Sequence, residues 1–123
     1  MFLGTFGSLV KAETFAQVCR SPSYTVIHLR GAGTNSASLT AIATARDIAQ
    51  SCANGMLTQG TMSAEQCIKY YQTWSQEELT IKVEANCSNP RYIIYNGGKL
   101  EVASQSCSSG GFHVAEGLRI LCP

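Results

Sequence analysis

Charge is what this sequence has least of. Asp, Glu, Lys and Arg make up 14% of its 123 residues, against the usual quarter. Nine cationic and eight acidic side chains leave a net charge of +1. That balance offers no electrostatic footprint for duplex nucleic acid or an anionic membrane surface. Long apolar runs are also missing, and none approaches the roughly 18 residues of a membrane-spanning helix. No two cysteines stand at C-x-x-C spacing, which excludes zinc-knuckle and thioredoxin-type motifs. There are only two histidines, so no metal and no cofactor is expected. Gly31-Ala32-Gly33 lacks both GxGxxG and Walker A spacing and reads as a plain loop.

What the chain does have is cysteine. The six are Cys19, Cys52, Cys67, Cys87, Cys107 and Cys122. An even count in a small polar chain reads as a disulfide framework, although six cysteines allow 15 connectivities and spacing alone chooses none. Phe2 to Val10 form a short apolar stretch, and Val10-Lys11-Ala12 resembles a small-residue cleavage site. Residues 1–12 are therefore read as a leader remnant and residues 13–123 as one disulfide-stabilised domain. The expected location is secreted. Asn86-Cys87-Ser88 is a glycosylation sequon of the rarer kind, which a bridged Cys87 would obstruct.

Periodicity supplies the elements. Tyr24 to Leu29 is rich in β-branched and apolar residues and predicts a strand. Arg30 to Ser38 reads as a polar loop. Leu39, Ile42, Ala45, Ile48, Ala49 and Cys52 then recur at helical spacing, ending near Asn54-Gly55. Ser63 followed by Gln66 makes a capping box for a second helix with Cys67, Ile68, Tyr71 and Trp74 on one face. A bridge from Cys67 is expected to tie that helix to the sheet. Leu79 to Cys87 alternates without error and predicts a half-buried strand. Asn96-Gly97-Gly98 joins two short strands as a hairpin. Phe112, Val114, Leu118, Ile120 and Cys122 alternate again, with Gly117 as a bulge. The sum is α+β: two helices packed on one face of an antiparallel sheet of about five strands.

Chemistry is sparsely supplied. His28 and His113 would serve a two-histidine ribonuclease if both met at a phosphate. Adjacent Glu77 and Glu78, with Glu84, are the only carboxylates placed for glycoside hydrolysis, and the adjacent pair reads as a solvated turn. Tyr92 and Tyr95 stand on opposite faces of a hairpin strand, so one is expected to be exposed for recognition. The candidate binding residues are Thr34 and Asn35 in the Gly31–Ser36 loop, and Arg91, Tyr92, Tyr95 and Asn96 in the hairpin.

Taken whole, the leader-like start, the Ser/Thr/Ala/Gly richness, the Ala64-Glu65-Gln66-Cys67 helix and the final Cys122-Pro123 resemble small secreted cysteine-rich fungal proteins of the effector and killer-toxin class. That resemblance implies a non-enzymatic, effector-like interaction protein that binds a host protein or cell-surface glycan. A second resemblance, carried by Tyr24-Thr25-Val26, Ser38 to Ala43, Asn89-Pro90, Ile93, Gly97 and Leu100-Glu101-Val102, is to LysM glycan-binding modules. A third is to type IV pilin heads, an adhesin-like reading in which Cys107 to Cys122 closes a C-terminal loop.

Overall fold

The computed structural model describes residues 14–15, 19, 21–55, 57, 61–107 and 112–123; the leader read at residues 1–12 lies outside them. Six strands pair antiparallel in chain order: β1 (Thr14–Phe15), β2 (Tyr24–Arg30), β3 (Ala37–Ile42), β4 (Thr80–Ala85), β5 (Tyr92–Tyr95) and β6 (Gly98–Glu101). Between β3 and β4 run helices α1 (Ala45–Ala53) and α2 (Ala64–Gln72). A 3₁₀ turn (Val102–Ser104) and helix α3 (Phe112–Leu121) follow β6. The α+β class holds, with six strands and three α-helices among the described residues in place of about five and two.

The strands alternate. Ala37, Leu39 and Ala41 of β3 and Ile81, Val83 and Ala85 of β4 are buried, while the residues between them turn outward. Helix α3 covers the buried side, packing on β4, β3, β5 and β1. Its Val114, Gly117 and Leu121 recur at helical spacing toward the core. This corrects the alternating strand expected at the C-terminus. Gly117 is no bulge: it is where α3 approaches the sheet, and a Cβ there would stand 3.0 Å from Val83 Cγ1.

Helix α1 begins later than its apolar spacing suggested, because Leu39 and Ala41 point into the core from a strand. Thr44 caps it and forms a reciprocal capping box with Asp47. Asp47 is only 5% exposed. It accepts hydrogen bonds from the Ser23 hydroxyl (3.0 Å), the Thr25 hydroxyl (2.8 Å) and the Thr44 hydroxyl and N–H (2.9 Å each). A buried carboxylate requires such partners, and these join α1 to the start of β2. Ser63 and Gln66 form the expected capping box of α2.

Three disulfides close the fold: Cys19–Cys107, Cys52–Cys67 and Cys87–Cys122. Cys67 therefore ties α2 to α1, not to the sheet, because the two helices pack on each other at the sheet's end. Cys87–Cys122 fastens the end of β4 to the end of α3. No Cys107–Cys122 loop of the pilin kind is formed.

Candidate functional site

No described helix covers the second face of the sheet, and its residues follow from the register. One row runs Arg30, Ser38, Glu84, Ile94 and Lys99 across β2 to β6. A neighbouring row carries His28, Thr40 and Lys82. The first row floors an open groove of about 620 Å³, with Asn35, Ser36, Asn86 and Asn89 at one end and Tyr92 on its wall. Amides and hydroxyls share this lining with three charged side chains, one aromatic ring and four apolar residues.

Of the two hairpin tyrosines, Tyr92 is the exposed one. Lys99 Nζ lies 4.5 Å from its ring centroid and Arg91 Cζ 5.2 Å. Both distances suit cation–π attraction, worth about 0.5–1 kcal/mol where water competes. Arg91 also pairs with Glu101 at 3.3 Å; both partners are solvated, so that pair adds little stability. Two cations thus lie close to the exposed Tyr92 ring.

The remaining sequence candidates divide. Asn35 and Tyr92 line the same groove. Thr34 is occupied by its turn: its hydroxyl donates to Gly31 O at 2.6 Å and accepts from Ser36 N at 3.1 Å. Asn96 is occupied likewise. With φ +48° beside Gly97 at +85°, it forms the primed turn that matches strand twist, and its Oδ1 accepts from Lys82 N at 2.8 Å. Tyr95 faces the covered side, away from Tyr92. Arg30 and Lys99 escaped the sequence reading, and Glu84 was singled out there only as a carboxylate; strand parity, once the register is known, places all three in the groove.

The two histidines are not brought together. A register irregularity between Val26 and His28 inserts Ile27 as an extra residue, and so places His28 opposite the outward-facing Thr40. His28 is exposed there. His113 stands in the first turn of α3, on the covered side. The phosphate-gripping histidine pair is thereby overturned.

His113 has company of another kind. Its Nδ1 lies 2.7 Å from the Tyr95 hydroxyl and its Nε2 2.7 Å from Ser21 Oγ. The Tyr24 ring meets it edge-on at 5.4 Å. Burial lowers the His113 pKa below the ordinary histidine value and pushes the Tyr95 hydroxyl up to about 12. Both groups are neutral at pH 7. Ser21 was missed because 92 residues separate it from His113, and no local pattern announces such a pair. No protein-family model, curated protein or solved structure matches this chain.

Proposed function

We propose that this is a secreted, effector-like interaction domain that binds an acidic cell-surface polysaccharide on its open sheet face. The observation that carries the reading is the exposed Tyr92 ring on the wall of the open groove, with Arg91 and Lys99 both within cation–π distance of it. A fixed aromatic face stacks on a sugar ring, and adjacent cations meet carboxylate or sulfate groups. Asn35, Asn89 and Ser36 supply the directional hydrogen bonding that hydroxyl-rich ligands need. In the groove lining Arg30 and Lys99 outnumber Glu84, although the chain as a whole is nearly neutral. Three disulfides suit an oxidising compartment. No helix among the described residues is long and apolar enough to cross a membrane.

Binding of the intact protein to immobilised polygalacturonate and heparin, measured at low and moderate salt, tests this. The wild type should be retained and released by salt. Tyr92→Ala and Lys99→Glu should each weaken binding by about ten-fold, the loss of roughly 1.4 kcal/mol. A wild type that passes through both matrices at low salt would falsify the reading.

A further inference from the structure

We propose that Ser21 and His113 form a second, separate site, in which Ser21 is a nucleophile toward small carboxylic esters, His113 its general base and Tyr95 the residue that positions the imidazole. The three come from the segment before β2, the first turn of α3 and the end of β5, so the fold builds the group. Ser21 Oγ and His113 Nε2, at 2.7 Å, are within direct proton-transfer reach. A neutral imidazole has one donor nitrogen and one acceptor. With Nδ1–H donated to the Tyr95 oxygen, Nε2 is left to accept the Ser21 proton. The Pro22 carbonyl competes for that proton at 3.2 Å, and the shorter contact favours the imidazole.

Ser21, Tyr95 and His113 line one pocket of about 340 Å³, with Tyr24, Tyr71 and Trp74 as aromatic walls and the titratable carboxyl groups of Glu77 and Glu78 in the same lining. Such walls suit a short alkyl or aryl acyl group. Asn96 lines the same pocket. Its Oδ1 is engaged by Lys82 N, which leaves its Nδ2 hydrogens as the donor assigned to a developing oxyanion. Burial keeps the imidazole neutral at pH 7 and ready to take a proton.

The step balances. Ser21 Oγ attacks the ester carbonyl carbon as its proton passes to Nε2. The carbon–oxygen bond to the alcohol breaks, and the imidazolium returns the proton to that leaving oxygen. Water then attacks the acyl-serine, gives a proton to Nε2, and the acid departs as Ser21 regains its hydrogen. A tyrosine that stays neutral stabilises the imidazolium less than a carboxylate does. Turnover is therefore slow, and the signature to seek is acylation of Ser21.

The test treats the disulfide-bonded protein with an alkyl fluorophosphonate, which forms a serine–phosphorus bond as fluoride leaves, and with p-nitrophenyl acetate. Mass spectrometry should map one adduct to Ser21, absent in Ser21→Ala. His113→Gln should slow labelling by about 100-fold. Tyr95→Phe keeps the ring and its packing, and should slow labelling less while leaving the adduct at Ser21. Release of p-nitrophenol should fall as pH drops through a value below the ordinary histidine pKa of about 6.5. An unlabelled Ser21 overturns the proposal. So does labelling equally fast in the His113 and Tyr95 variants, or a rate indifferent to pH across that range. The polysaccharide reading is untouched by any of these results, because its groove lies on the opposite face.

Discussion

Along β4, Ile81, Val83 and Ala85 lie under α3, while Lys82 and Glu84, one residue away in each case, lie in solvent. One strand thus serves two surfaces with different physics. Beneath α3, side chains are held by close packing, and each added or removed methyl group is felt by neighbours that have nowhere to go. On the open face, side chains are held by register alone. Packing therefore leaves their identities free, in the groove beside Tyr92 as elsewhere on that face. The covered side carries stability and the half-buried His113 cluster; the open side carries the groove.

Three measurements press on this contrast. The largest effect belongs to Leu121, fully buried at the end of α3. Leu121→Ala should cost about 2–5 kcal/mol in a urea titration. Gly117→Ala sets two effects against each other. Alanine gains about 1 kcal/mol of helix propensity, and the Cβ that would meet Val83 Cγ1 at 3.0 Å costs about 1–3 kcal/mol of overpacking. The net should be destabilising by about 1 kcal/mol, and adding Val83→Ala should recover part of it, a non-additivity that a double-mutant cycle measures. The smallest effect is expected on the open face. Lys82→Ala and Glu84→Ala should each change stability by less than about 0.5 kcal/mol. If Lys82→Ala unfolds the protein as readily as Leu121→Ala, the two faces are not the different surfaces described.

The open face also shows where the sequence was readable. The unbroken alternation of Leu79 to Cys87 predicted β4, the Asn96-Gly97 pair predicted its turn, and Ser63 with Gln66 predicted the start of α2, because each signal is local. The C-terminal segment misled because Val114 and Leu118 to Cys122 satisfy a period of two as well as the helical period over so short a stretch. Gly117 resembled a breaker there; its smallness is set by Val83, 34 positions earlier in the chain. The Leu39 region erred in the opposite direction. Ala and Leu favour helices, yet β3 sits between two strands, and its pairing outweighs propensity. The Thr44–Asp47 capping box was a legible mark of the true helix start. Groove membership was not legible, since it depends on register across five strands and on the Ile27 bulge. Disulfide pairing is likewise a property of the folded chain.

The bridges have one further consequence. Cys87–Cys122 interleaves with Cys19–Cys107, so the two rings overlap and together enclose every peptide bond from Cys19 to Cys122. A protease that severs any single bond in that span opens a ring without detaching a piece. Both the open groove and the Ser21 pocket therefore remain parts of one covalent molecule after a nick, and only reduction separates them. The arrangement turns a cut from an amputation into a scar.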